Sequence, residues 1–226
     1  DLYFCREYSK GRTPHPCIAC NDKIKFNFLM NRAVALQAKY VATGHYAQIG
    51  QTGDGWVLKK GVDASKDQSY VLFGMGQDEL SRTLMPVGAY TKKAIREMAL
   101  EAGFINAEKP DSQDICFIPL GDYKDYLRQQ VTAVPGEIVD VDGTVLGEHK
   151  GIEFFTVGQR RGLGIHSGEP IYVIRIDAET HRVVVGPEEA LYGNRMWTSQ
   201  VNYTVGTPPS GPIKVTVKIR YKAHEA

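Results

Sequence analysis

The chain has 226 residues, with 27 Lys and Arg against 26 Asp and Glu, 42% apolar residues and 23% charged. That composition is globular and excludes disordered, collagen-like and low-complexity classes. A net charge of +1 gives no general affinity for polyanions, so any nucleic-acid contact has to come from local basic clusters. No apolar run approaches the roughly 18 to 20 residues of a membrane helix, and no membrane partner is expected. Four cysteines are too few for a disulfide scaffold, and their spacing suggests reactive or metal-binding thiols in a reducing, cytoplasmic compartment. The first residue is Asp1 rather than Met, which suggests a fragment.

In chain order, Leu29, Met30, Ala33, Val34 and Leu36 recur at helical spacing and predict a helix over Asn27–Lys39. Tyr40–Thr43 then reads as a short strand running into Gly44, the grammar of an α/β layer. Thr91 as N-cap, the stripe Ala94, Ile95, Met98, Ala99 and Ala102, and Gly103 as the stop predict a second helix. A third is expected from Asp122, carrying Tyr123, Tyr126 and Leu127. Near Pro135 the pattern changes to short strands with tight turns. Glu137–Val141 and Thr144–Leu146 read as a hairpin around Asp142-Gly143, which suits a type I′ turn. Ile171–Ile176 and Arg182–Val185 read as another, with a glycine-rich, dibasic loop, Thr156–Gly164, before it. Ile213, Val215, Val217, Ile219 and Tyr221 alternate with Lys214, Thr216, Lys218 and Arg220, the pattern of a half-buried strand.

Three stretches can carry chemistry. In Thr13–Asn21, two prolines lead into Cys17-Ile18-Ala19-Cys20, followed by Lys23 and Lys25. A helix start and two lysines supply the positive potential that a nucleophilic thiol uses, so the pair reads as reactive; half of a zinc site or two inert thiols are the alternatives. Cys116, in Asp111–Ile118, reads as a buried core cysteine taken alone, and as a resolving or sulfur-carrying thiol if Cys17 or Cys20 lies close to it. Cys5 has no supporting neighbours and is taken as structural. Ala42–Tyr46 ends a predicted strand, where a glycine lets a nucleotide approach the backbone, and His45 beside it can donate, accept or sit idle. Lys66–Tyr70 is a polar loop able to touch phosphate or a base. Arg160-Arg161 and the cluster Arg220, Tyr221 and Lys222 add cations, the latter with an aromatic ring for stacking.

Five segments stand in one order: Thr13–Phe26, Ala42–Tyr46, Lys66–Tyr70, Asp111–Ile118 and Gly158–Gly164. In that order they resemble the tRNA-specific 2-thiouridylases. The resemblance spans essentially the whole chain. It implies an α/β plus β protein: the C-terminal part of a Rossmann-like, pyrophosphatase-loop ATPase domain (1–120), a linking helix (121–134), a central β-rich domain (135–200) and the start of a β-barrel (201–226). The family's phosphate-cradling first strand and the end of the barrel are expected to be missing.

The implied reaction is ATP-dependent 2-thiolation of the wobble uridine of tRNA, in which the 2-oxygen is adenylated and a cysteine persulfide delivers sulfur. By position Cys20 matches the nucleophile and Cys116 the persulfide carrier, and the two can close a disulfide as sulfur leaves. Gly44 matches an ATP contact. His15, Pro16 and Cys17 match the stretch that meets the target base, and His45, Lys66, Asp67, Gln68, Arg220 and Tyr221 match tRNA contacts. The implied partners are tRNA and a sulfur-donor protein, a cysteine desulfurase or relay, with Mg2+ accompanying ATP. Two departures stand out: His15-Pro16 replaces the usual Asn-Pro, and Cys17 occupies a position where some relatives carry aspartate. A cysteine there leaves Cys17, Cys20 and Cys116 as possible iron–sulfur ligands. The rival readings are a metal-stabilised RNA-binding module, with zinc or an iron–sulfur cluster, and a thiolase acting on another tRNA nucleotide.

Overall fold

The computed structural model describes residues 2–110, 115–118, 123–166, 168–221, 223 and 225–226. Its helices and strands are α1 (Leu2–Ser9), α2 (Pro16–Cys20), a π-helix over Asn21–Phe28, α3 (Leu29–Ala35), β1 (Val41–Ala42), β2 (Ala47–Thr52), β3 (Gly55–Lys60), α4 (Gln77–Ser81), β4 (Thr83–Leu84), α5 (Lys92–Glu101), α6 (Tyr123–Gln130), β5 (Gly136–Val139), β6 (Val145–His149), β7 (Tyr172–Asp177) and β8 (Arg182–Gly186). The chain forms two compact units, one of residues 1–16 with 112–198 and one of residues 17–111 with 199–226.

In the second unit, Val41 and Ala42 pair in parallel with Thr83 and Leu84, and β2 and β3 form an antiparallel hairpin. Phe26, Met30, Val41, Ala47, Leu72, Met75, Leu80 and Met85 make its core. The expected strand Tyr40–Thr43 is present but shorter. The helix expected over Asn27–Lys39 begins much earlier, since helical structure runs from Pro16, and it ends at Ala35. The structure corrects that limit because Gln37 takes a φ of 57°, which breaks the helix before its predicted end. The helix capped by Thr91 is present: the Thr91 hydroxyl accepts from the Ala94 N–H at 3.2 Å.

The strand expected over Ile213–Tyr221 joins no sheet among the described residues. Its alternation buries neither face, with Ile213, Val215 and Ile219 each more than 60% exposed. A strand needs a ladder partner, and here Val217 alone exchanges backbone bonds, with Ala226. Side-chain to backbone bonds hold the start of the C-terminal stretch 199–226 instead. Asn202 Nδ2 donates to the Phe73 and Met75 carbonyls at 2.7 and 3.0 Å, and Gln77 Nε2 donates to the carbonyls of Trp56 and Thr204.

The first unit holds a four-stranded sheet in the order β6-β5-β8-β7, with β5 and β8 parallel and the outer pairs antiparallel. Ile138, Ile152, Phe155, Leu163, Val173, Val183 and Val185 form one core, and Phe4, Cys5, Tyr8, Ile118 and Leu127 another. The hairpin expected at Asp142-Gly143 exists with a different turn. Asp140 N–H bonds the Thr144 carbonyl at 2.9 Å, and Gly143 N–H bonds the Asp140 carbonyl at 3.1 Å with Gly143 at φ +88°. That is a three-residue loop closed by a left-handed glycine rather than a two-residue type I′ turn. The Asp140 carboxylate decides it, accepting from the Asp142 and Thr144 N–H groups at 3.0 and 2.8 Å.

Candidate functional site

The second unit brings together most of the residues that the sequence marks. Pro16 opens the helix, a position where its missing N–H costs nothing, and Cys17 and Cys20 follow on it, one exposed and one half-buried. Asn21, only 3% exposed, sends its Nδ2 to the Val71 carbonyl at 2.9 Å. This bond fastens the thiol-bearing helix to the segment that follows Lys66–Tyr70. Its Oδ1 has no hydrogen-bond partner among the described residues.

His45 sits behind that helix at the carboxyl end of β1, 7% exposed and beside the Phe26 ring. Its Nε2 lies 3.5 Å from Lys25 Nζ and its Nδ1 2.9 Å from Thr43 Oγ1. An ammonium can only donate, so Nε2 accepts and the ring proton sits on Nδ1, donating to Thr43. Burial, and then the Lys25 charge, hold the imidazole pKa down at about 4, so it is neutral near neutral pH. Sequence alone marked His45 and missed its partners; no periodicity places Lys25 against a residue 20 positions on, although Thr43 two residues before the ring was a visible signal.

Gly44, next to it, is exposed, and a Cβ built there meets nothing within 4 Å. The backbone at this strand end is thus open to a close-approaching nucleotide. Gln68 accepts the Tyr46 N–H at 3.0 Å and returns its own N–H to the Tyr46 carbonyl at 2.9 Å. The Asp67 carboxylate accepts from Gly61 N–H, Ser69 N–H and the Ser69 hydroxyl at 2.8, 3.3 and 2.7 Å. The Lys66–Tyr70 loop is therefore built rather than merely solvated, with Asp67 and Gln68 both half-buried in it and Lys66 beside them. Tyr221 OH donates to the Asp67 carbonyl at 3.1 Å, its ring meets Tyr70 edge-on at 6.2 Å, and Tyr70 OH donates to the Ile219 carbonyl at 3.2 Å. Arg220 is exposed beside these residues.

Cys5, His15, Pro16, Cys116 and the pair Arg160 and Arg161 lie in the first unit. His15 precedes the helix opened by Pro16 and is exposed. Cys116 is exposed at the tip of a turn closed by Ile118 N–H on the Ile115 carbonyl at 2.9 Å. Its neighbours Ile115, Phe117 and Ile118 pack into the core around Phe4, which corrects the expectation of a buried core cysteine: the flanking apolar side chains are anchored and the thiol is presented. Cys5, by contrast, lies in that core, and burial raises its thiol pKa. The first part of the Asp111–Ile118 motif, and Lys222, lie outside the described residues. Among the described residues no three His, Cys, Asp or Glu side chains converge as metal ligands, so the zinc and iron–sulfur readings rest on cysteine spacing alone.

The sequence profile described as the tRNA methyl transferase HUP domain matches residues 2–120, and that of the tRNA methyl transferase PRC-barrel domain matches 124–187. Proteins named tRNA-specific 2-thiouridylase MnmA align over nearly the entire chain: 46% identical in Halothermothrix orenii, 50% in Heliobacterium modesticaldum and 45% in Pelotomaculum thermopropionicum, each covering 98–99% of this chain. The chain belongs to the tRNA-specific 2-thiouridylase family. It spans 63, 60 and 61% of the length of those relatives. Membership fixes the architecture of this chain as a nucleotide-binding α/β HUP domain followed by a β-type PRC-barrel domain. Among the described residues no helix is long and apolar enough to cross a membrane.

Proposed function

We propose that this chain is part of a cytoplasmic enzyme that replaces the 2-oxygen of the tRNA wobble uridine with sulfur at the expense of ATP. The observation that carries the reading is the 45–50% identity to proteins named 2-thiouridylases over a chain that keeps both candidate thiols accessible, Cys116 exposed and Cys20 half-buried. The domain limits 1–120, 121–134, 135–200 and 201–226 belong to the same reading, supported by the matched ranges 2–120 and 124–187.

A carbonyl oxygen leaves poorly, and ATP supplies the chemistry that turns it into a leaving group. The open backbone at Gly44 suits the approach of that nucleotide. Cys116, loaded by a sulfur-donor protein, carries the persulfide. Its terminal sulfur bonds the uridine 2-carbon as the activated oxygen departs. The Cys20 thiolate then attacks the Cys116 sulfur, the old S–S bond breaks with its electron pair left on the tRNA sulfur, and a Cys20–Cys116 disulfide remains for a thiol reductant to reopen. His15, Pro16 and Cys17 adjoin this nucleophile and would meet the target base. His45, fixed neutral between Lys25 and Thr43, keeps its end of β1 in one arrangement, while Lys66, Asp67, Gln68, Arg220 and Tyr221 shape the adjoining tRNA surface.

The test is nucleoside mass spectrometry of tRNA incubated with the full-length protein, ATP, Mg2+ and a persulfide donor. A 2-thiouridine that requires ATP is the expected result, with none from Cys20→Ser or Cys116→Ser. A methylated product, sulfur on another nucleotide, or full product from both cysteine variants would overturn the reading.

A further inference from the structure

Arg160 and Arg161 are adjacent on one loop, and with the isolated Arg195 they differ from the other arginines described in their unit. In their own unit Arg6, Arg12, Arg128, Arg175 and Arg182 each face a carboxylate, those of Glu7, Glu7, Asp125, Asp177 and Glu137. Arg160 and Arg161 are both exposed, and among the described residues neither guanidinium has such a partner. Two adjacent, unneutralised forks on one loop are costly as ornament, because like charges repel, and useful as anion ligands.

The loop that carries them is preformed. Gly158 N–H bonds the Val173 carbonyl at 2.7 Å and Val173 N–H returns to the Gln159 carbonyl at 2.9 Å, tying the root of the loop to β7. The Gln159 amide accepts from Thr156 N–H at 3.1 Å and donates to the Arg161 carbonyl at 2.9 Å, bracing the arginine backbone from within. Leu163, 6% exposed, plugs the loop into the core. Gly162 and Gly164 adopt φ of +70° and +75°, and a Cβ at either would meet nothing within 4 Å, so the outer surface of the turn is bare backbone. Beside it lies a cavity of about 310 Å³ lined by Leu163, Ile165, Pro170 and Ile171, with Arg160, His166 and the single carboxylate of Glu169 also on its lining. That is the low end of ligand-site volumes.

We infer that the 158–166 loop grips the sugar–phosphate backbone of RNA, with Arg160 and Arg161 on successive phosphates and the adjoining ribose against the apolar wall. The inference rests on the reading of the protein as a tRNA-modifying enzyme and adds a second contact region, in the sheet-bearing unit. A repeating polyanion fits better than a free nucleotide, because the lining has no Phe, Tyr or Trp ring and no buried polar side chain to select a base, whereas paired exposed cations suit contacts that position without reading sequence.

The test is the salt dependence of tRNA affinity for the full-length protein and its Arg160→Gln/Arg161→Gln variant. Loss of two phosphate contacts should flatten the slope of log K against log salt by about 1.4 to 1.8, at roughly 0.7 to 0.9 per phosphate, with ATP affinity and melting temperature unchanged. Arg160→Lys/Arg161→Lys, which keeps both charges, should restore most of the slope. An unchanged slope in a folded, thiolating double variant overturns the loop assignment alone, as does a variant that loses ATP affinity instead. A wild-type protein that binds tRNA with the full slope but forms no thiolated nucleoside overturns the functional reading and leaves the loop assignment standing.

Discussion

Lys25 Nζ, on the π-helix that continues directly from the helix carrying Cys20, stands 3.5 Å from His45 Nε2 and places a cation against that buried imidazole. The pair has a pH signature. In the unfolded chain His45 takes its proton near 6.5, and in the folded state only near 4. Between those values the unfolded chain binds more protons, so stability is complete above about 6.5 and is lost as pH falls toward 4. The loss attributable to this ring is about 3 kcal/mol at most. His149 in the sheet-bearing unit is shifted down by burial and adds in the same direction. Urea unfolding across this range should show the acid slope shrink in His45→Gln, and an unaltered slope would refute the linkage.

Removing the cation separates its effect from burial. Lys25→Met should raise the His45 pKa, read by NMR of the ring protons, but leave it below 6.5, because desolvation is the larger cause. A return to 6.5 would mean that the lysine alone depresses it.

Two glycines should behave oppositely on gaining a methyl group. A Cβ at Gly88 would fall 1.7 Å from the Ala47 carbonyl oxygen and 2.5 Å from its carbon, so Gly88→Ala has to push two backbones apart. It should cost on the order of 3 kcal/mol or more in thermal or urea melts. Gly44→Ala meets nothing and should leave stability within about 0.5 kcal/mol, while weakening ATP binding to the full-length protein in a calorimetric titration. Unaltered ATP affinity would remove Gly44 from the nucleotide site.

The contrast between what could and could not be read from the sequence follows the same physics. The helix over Lys92–Glu101 was legible because its N-cap, apolar stripe and glycine stop are local signals. The helical stretch before Asn27 was not. Its buried residues, Asn21 and Phe26, are five apart, the spacing of a π-helix, and a search at 3.6 residues per turn passes over it. The alternation of Ile213–Tyr221 was real as a pattern but misleading as a prediction, since alternation states a preference and only a neighbouring strand can fulfil it. Among the candidate site residues, the cysteines, Gly44 and His45 are visible as motifs. The Asp67 carboxylate bonds its own neighbour Ser69, a local turn pattern, but the bonds of Gln68 with Tyr46 and of Tyr221 with the Asp67 carbonyl join stretches far apart in sequence, and no local rule reports them.

Three of the four thiols should separate into two behaviours. Cys5→Ser places a hydroxyl in the core of Phe4, Tyr8, Ile118 and Leu127 and should cost about 1–3 kcal/mol by denaturation without altering the thiolated product per folded molecule. Cys20→Ser and Cys116→Ser, half-buried and exposed, should melt like the parent and retain tRNA in filter binding while making no product. A Cys5 variant that is stable but inactive would reassign that residue to chemistry.

The C-terminal segment is held by a few polar contacts and little buried surface. Asn202→Ala removes both donors to the Phe73 and Met75 carbonyls, and Tyr221→Phe the bond to Asp67. Each should cost about 1 kcal/mol and together speed limited proteolysis after residue 199, with the 17–111 portion left intact. Equal cleavage in the variant and the parent would show that other contacts hold the segment.

Helix α1 has its core partners, Ile118 and Leu127, more than a hundred residues further along the chain. Eight residues make a marginal helix in water, so Phe4 and Tyr8 have nothing lasting to pack against until the ribosome has synthesised almost the entire nucleotide-binding portion. During synthesis, then, residues 17–111 are complete before Phe4 and Tyr8 meet Ile118 and Leu127, and the two aromatic rings wait exposed meanwhile. The hazard of this architecture lies in that interval, when a stalled or slowly translated message would leave Phe4 and Tyr8 available to chaperones or to other nascent chains.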